Sequence, residues 1–139
     1  FFCIAGEPYT DWEPYQHIID ASPAPERFYT YLKFIPKEDV HVFFSAADLV
    51  CLPYAAASQS GVTAIAMHYH KPVVATDVGG LKEYFDGNPI GHICAPRDVH
   101  ALTEAIRSAL SAEPVEAASI ATWNARFSWA AFAQQCLSA

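Results

Sequence analysis

Residues 48–83, DLVCLPYAAASQSGVTAIAMHYHKPVVATDVGGLKE, decide the fold. Residues 48–54 form a short apolar run closing on Pro53 and Tyr54, as expected of a buried strand. Residues 55–60 are small and polar and read as a loop. From Gly61 to Tyr69 the spacing becomes helical: Val62, Ile65, Ala66 and Tyr69 fall at i, i+3, i+4 and i+7 and are expected to form the buried face. Residues 72–76 are a second apolar run rich in Val, broken by Gly79 and Gly80. Two buried strands joined by a helix make a βαβ unit, which requires a parallel sheet. Ligands of such sheets lie beyond the carboxyl ends of the strands. Here that places residues 55–61 and 77–80 at the candidate site.

The loop before the helix carries the chemistry. Ser60 has the side chain of an N-cap, and Gly61 permits close approach to the backbone. The first amides of a helix have no partner within it, so they offer donors and partial positive charge to an anion such as a phosphate. The structural alternative is that Ser60 only caps and Gly61 only turns. Gly79 and Gly80 either make a turn or admit a ligand. Asp77 either caps that turn or faces the pocket. Glu83 reads as a first-turn carboxylate serving its own helix.

Outward from this unit, strands and helices keep alternating. Residues 2–5 read as a strand ended by Gly6. Residues 11–20 read as an amphipathic helix presenting Trp12, Tyr15 and Ile18 or Ile19, with Pro14 tolerated in its first turn. Residues 27–34 are expected to be a strand ended by Ile35-Pro36. Residues 37–47 follow as a helix buried through Val40, Phe43, Phe44 and Ala47, with Glu38 and Asp39 favourable in its first turn. Residues 81–85 form a short helix, and Asp86-Gly87-Asn88-Pro89 form a turn. Residues 90–95 are the last strand. Asp98 caps a helix over 100–112 with Leu102, Ala105, Ile106 and Leu110 inward. After Pro114 one or two helices carry Trp123, Phe127, Trp129 and Phe132, aromatics expected to pack. About five strands and five or six helices make a doubly wound α/β domain.

The 139 residues suffice for one domain with a core, and 53% apolar against 17% charged residues describe a globular chain. The net charge of −7 with only eight Lys and Arg argues against nucleic acid as a partner. No apolar run approaches the roughly 20 residues of a membrane span. The first residues, FFCIAGEPY, lack the basic region and cleavage site of a signal peptide and begin inside an apolar run, as the interior of a longer protein would. Cys3, Cys51, Cys94 and Cys136 are widely spaced and without zinc spacing; buried free thiols in a reduced, cytoplasmic setting are expected. His68 and His70 are two positions apart and cannot share a metal on a helix. There is no Ser-His-Asp arrangement, no GxxxxGK[ST] and no GxGxxG, so hydride transfer and ATP-driven phosphoryl transfer have no local support.

Ala47-Asp48-Leu49-Val50-Cys51-Leu52-Pro53, Ser60-Gly61-Val62, Ala66-Met67, Lys71 through Leu81 and then Glu83 resemble, in order and spacing, the C-terminal, donor-binding half of a family 4 (group 1) glycosyltransferase. The resemblance extends more weakly from Gly6 to Phe127-Ser128-Trp129. It implies an α/β fold with a Rossmann-like, doubly wound parallel sheet, one half of a GT-B glycosyltransferase, with residues 1–139 as the C-terminal domain of a two-domain enzyme. It implies a hexosyltransferase that moves a sugar from a UDP- or GDP-sugar to an acceptor with retention, and needs no metal and no cofactor. Donor and phosphate contacts then fall to Ser58, Gln59, Ser60, Gly61 and Val62, the donor loop to Asp77, Gly79, Gly80 and Glu83, and the base to Phe34, Ile35 and Pro36. The acceptor, a glycan or a lipid-linked one as in bacterial glycan biosynthesis, is held by the N-terminal half. The setting implied is cytoplasmic or peripheral to the inner membrane.

The chain departs from the family at one place. Many members carry two Glu residues in this loop and helix, at the positions of Ala57 and Ile65. A branch of the family resembles this chain in its Gln-Ser-Gly loop, which marks a variant site. The alternatives are a non-catalytic nucleotide-binding or scaffold domain that lost the Glu pair, and a related nucleotide-sugar epimerase, which residues 71–80 fit less well.

Overall fold

The computed structural model describes residues 1–85, 87–113, 115–126 and 128–138. Asp86, Pro114, Phe127 and the side chains of Trp129 and Phe132, assigned above to a turn, a break and C-terminal packing, lie outside the described residues. Among the described residues five strands alternate with seven α-helices, and every strand pair is parallel. The fold is α/β, as expected. The chain forms two compact units, Phe1–Phe43 and Phe44–Ala139.

In the first unit, β1 (Phe2–Ala5) crosses through α1 (Glu13–Asp20) to β2 (Phe28–Tyr31). The register sets Phe2 opposite Phe28 and Ala5 opposite Tyr31, and the Phe2 and Phe28 rings stack 5.4 Å apart. Pro14 lies in the first turn of α1, where its missing N–H is harmless. The inward face differs from expectation. Ile19 is buried, whereas Tyr15 is 51% and Ile18 71% exposed. Gln16 is half-buried and accepts a hydrogen bond from Trp12 Nε1 at 3.0 Å, while the Trp12 and Tyr15 rings stack 5.5 Å apart at the surface. The strand expected over 27–34 shortens to Phe28–Tyr31, since Arg27 closes a 3₁₀ turn over Pro25–Arg27.

Helix α2 (Val40–Ala46) runs across the boundary between the units. It begins after Glu38 and Asp39, not at Lys37. The amide of Asp39 donates to Pro36 O at 2.9 Å, so these acids belong to a preceding turn and not to the helix. Val40, Phe43, Phe44 and Ala47 are half-buried.

The second unit holds β3 (Val50–Leu52), α3 (Gly61–His68), β4 (Val73–Thr76), α4 (Leu81–Phe85), β5 (Gly91–Cys94), α5 (Val99–Ser111), α6 (Ala117–Ala125) and α7 (Trp129–Ser138). The sheet order is β3-β4-β5, with Cys51 opposite Val74 and Val74 opposite His92. All four β4 residues are buried, and Val73, Val74 and Ala75 have no exposed surface. Alternation sends Val73 and Ala75 to one face, with Ala66 and Met67 of α3, Leu81 and Phe85 of α4 and Ile120 of α6. Val74 faces the other side with Cys94 and Ala109 of α5. Cover on both faces explains why residues 72–75 are apolar without alternation. Each fully buried Val contributes about 1.5–3 kcal/mol.

Three expectations need correction here. Helix α3 buries Thr63, Ala66 and Met67; Val62 is 37% exposed and Ile65 and Tyr69 only half-buried. With Val, Ala, Ile and Met around most of its circumference, spacing leaves its rotation undetermined. Close packing on the sheet selects small Ala66 and flexible Met67. In α5, Ala109 is buried and Leu110 is 59% exposed. The Asp98 cap forms as expected, accepting from Ala101 N at 2.9 Å. Finally, the cysteines are free, but Cys3, Cys51 and Cys136 are exposed and only Cys94 is buried.

Candidate functional site

The carboxyl ends of β3 and β4 carry two loops, residues 53–60 and 77–80, and backbone groups lock them together. Gly80 N donates to Ser58 O at 3.1 Å. Gly79 has a positive φ of 54°, and a Cβ placed on it would run into the carbonyl oxygen of Ala57 while lying 3.1 Å from Ser58 Cα. Only glycine meets both conditions. Thr76, at the end of β4 and 3% exposed, donates its hydroxyl to Tyr54 O at 2.6 Å. The first loop is thus tied to the most buried strand of the unit.

The start of α3 opens from this frame. Ser60 occupies the N-cap with extended backbone, φ −141° and ψ 114°. Its side chain makes no capping bond, contrary to expectation; Oγ lies instead 3.1 Å from the Tyr54 hydroxyl. Thr63 N donates to Ser60 O at 3.2 Å, while the Gly61 and Val62 amides find no acceptor among the described residues. Nothing lies within 4 Å of a Cβ built on Gly61, so the space beside the helix start is open there. Uncapped donors and the positive end of the helix dipole together suit an anion. Ser58 and Gln59 are exposed beside them, Ser60 is half-buried and Val62 is partly exposed.

Asp77 is exposed and engaged by Lys82 Nζ at 3.4 Å, a surface pair that orients more than it stabilises. Its amide donates to Cys94 O at 2.8 Å, joining the loop to β5. Glu83 is exposed in the first turn of α4. The structure therefore brings residues 58–62 together with Gly79 and Gly80, with Asp77 and Glu83 on the flanking turn and helix. Phe34, Ile35 and Pro36 belong to the first unit, beyond the end of β2. Phe34 is 73% exposed, which rules out an ordinary core role, and Ile35 and Pro36 are half-buried. Ala57 and Ile65 are half-buried and supply no carboxylate. Tyr54 and Thr76 were missed as site residues, because both read as strand ends and nothing in the spacing shows what their oxygens reach.

His68 ends α3 and its ring meets Tyr69 edge-on at 5.2 Å, while His70 sits past the helix at φ 54°. Among the described residues no group of His, Cys, Asp and Glu is placed to hold a metal ion. A cavity of about 280 Å³, bordered by Asp48, His70, Pro72, Ile90, His92 and Glu113, lies at the amino ends of the strands, across the sheet from α3's first turn. Burial pushes the Cys94 thiol above its ordinary value, helped by the charge of Asp98, and burial and then Cys94 raise Cys51.

Comparison with solved structures shows the fold. The chain superposes on sucrose-phosphate synthase (tll1590) from Thermosynechococcus elongatus with a TM-score of 0.76 at 24% identity, over 98% of this chain and 36% of that one. It superposes on Anabaena Alr3699/HepE, solved in complex with UDP, with a TM-score of 0.74 at 21% identity, over 98% and 39%. The fold is that of one Rossmann-like half of a GT-B enzyme, and the chain spans well under half the length of these neighbours. Residues 2–112 match the family described as Glycosyl transferases group 1, and the chain belongs to that family. No curated protein matches it. No helix among the described residues is long and apolar enough to cross a membrane.

Proposed function

We propose that this chain is the donor-binding half of a hexosyltransferase that takes a UDP- or GDP-sugar. The observation that carries this is the uncapped start of α3, opening on space beside the glycine loop. The diphosphate lies against the Gly61 and Val62 amides, with Ser58, Gln59 and Ser60 bonding phosphate or sugar hydroxyls. The loop of Asp77, Gly79, Gly80 and Glu83 borders the sugar. As the sugar leaves with retention at its anomeric carbon, negative charge grows on the diphosphate, and donors already aimed there stabilise it without a metal or cofactor. A glycan or lipid-linked acceptor is held by a second half, so that bond formation occurs in the cytoplasm or at the inner membrane face.

The UDP in HepE supports UDP as the first nucleotide to try. Isothermal titration with UDP, GDP, ADP and dTDP is the test. One preferred nucleoside diphosphate is expected, and equal or absent binding of all four removes the donor-site reading. Ala57 and Ile65 favour a second reading, a nucleotide-binding scaffold without turnover. Assays of nucleotide release with UDP- and GDP-hexoses on the longer enzyme separate the two.

A further inference from the structure

We infer that Tyr54 is a positioning residue of the anion site, holding the Ser60 hydroxyl off the helix so that α3 stays uncapped, an inference that rests on the donor-site reading above. Serine at an N-cap with extended backbone ordinarily accepts from the second or third amide of its helix. Ser60 has that backbone and does not make that bond; its Oγ is 3.1 Å from the Tyr54 hydroxyl. Tyr54 is itself held. Its carbonyl accepts from Thr76 Oγ1 at 2.6 Å, its amide donates to Leu52 O at 2.9 Å, and its ring packs against the buried cluster that includes Leu52, Ala75 and Leu81. Position thus passes from the closed end of β4 through the phenol to Ser60.

A cap and a bound anion compete for the same donors. A capping Ser60 would satisfy the amide of Val62 or Thr63 internally and lower what a phosphate gains there. A cap bond of ordinary strength corresponds to roughly two- to thirty-fold in affinity. Tyr54→Phe keeps the ring in its packing and releases Ser60 to cap.

The experiment compares wild type, Tyr54→Phe, Ser60→Ala and the double variant, by amide hydrogen exchange without ligand and by titration with UDP and GDP. Tyr54→Phe should slow exchange at Val62 or Thr63 and weaken nucleotide binding by roughly two- to thirty-fold. In the Ser60→Ala background the same change should leave affinity unaltered, since no hydroxyl remains to cap. Equal losses in both backgrounds, or unchanged exchange in Tyr54→Phe, would overturn the role, because direct contact or general loosening would not depend on Ser60. Wild type binding neither nucleotide would instead remove the donor-site reading, while the exchange arm still decides whether Tyr54 withholds the cap.

Discussion

Gly79→Ala should destabilise this chain, and the cost can be worked from two terms. The residue sits at φ 54°, a region that costs an L-residue roughly 1–2 kcal/mol. The new methyl also collides with the Ala57 carbonyl, and its nearest neighbours are backbone atoms, among them Ser58 Cα at 3.1 Å, which cannot turn aside as a side chain would. Overpacking of this kind costs about 1–3 kcal/mol. Relief by parting the loops would forfeit the Gly80–Ser58 bond, itself worth about 0.5–1.5 kcal/mol. The expected loss is about 2–5 kcal/mol, or a urea midpoint roughly 1–2.5 M lower at an unchanged slope of about 2 kcal/mol/M. Gly61→Ala is the control. Its added methyl meets nothing within 4 Å, and the substitution should be neutral or stabilise by about 0.4–1 kcal/mol. Urea unfolding of both variants decides the matter. A Gly79→Ala midpoint equal to wild type would refute the account of the locked loops.

Gly61→Val should weaken nucleotide-diphosphate binding far more than His68→Ala, because it crowds amides whose bonds to a charged group contribute roughly 1.5–3 kcal/mol each, whereas His68 lies at the far end of α3; equal affinities in titration would contradict this. Met67→Ala should cost about 2–5 kcal/mol and Val62→Ala under about 1 kcal/mol, which denaturation of the pair checks and which tests the observed rotation of α3. Stability should fall in the alkaline range. Burial raises the Cys51 and Cys94 thiols and the Tyr84 phenol in the folded chain, so above the ordinary values of 9.0 for the thiols and 10.0 for the phenol the unfolded chain loses protons first and is favoured, while below 9.0 their contribution is constant. Thermal midpoints from pH 7 to 10 should be flat and then decline, and a midpoint that rises with pH would contradict the sign.

The fold was legible because its signals are redundant. Residues 72–75 are apolar at every step, as a strand covered on both sides permits, and the alternation around them leaves the parallel arrangement as the remaining solution. Helix orientation was less legible. In α3 the differences between Val62, Ile65 and Met67 in hydrophobicity are small, so which of them faces the sheet is decided by shape, which periodicity does not carry. The α5 stripe failed in the same way by one residue at Leu110. At the site, Gly61, Gly79 and Gly80 could be picked out, since glycine beside a strand end has few uses. Tyr54 could not, because its role depends on where its hydroxyl arrives, and Ser60 was misread because the rule for capping does not know that another hydroxyl competes for it.

The contacts that clamp the two loops run through Ala57 O, Ser58 O, Gly80 N and the bare Cα of Gly79. Apart from that one missing side chain, these are backbone atoms that every amino acid but proline supplies. The shape of the 55–60 segment is therefore largely indifferent to what side chains it displays, and exposed Ser58 and Gln59 can be exchanged without disturbing the frame beneath them. On the donor-site proposal, such an arrangement separates the part of the protein that must stay constant from the part that would meet the ligand. It allows new ligand preferences to be explored by substitution at a few outward positions while the scaffold bears almost none of the risk.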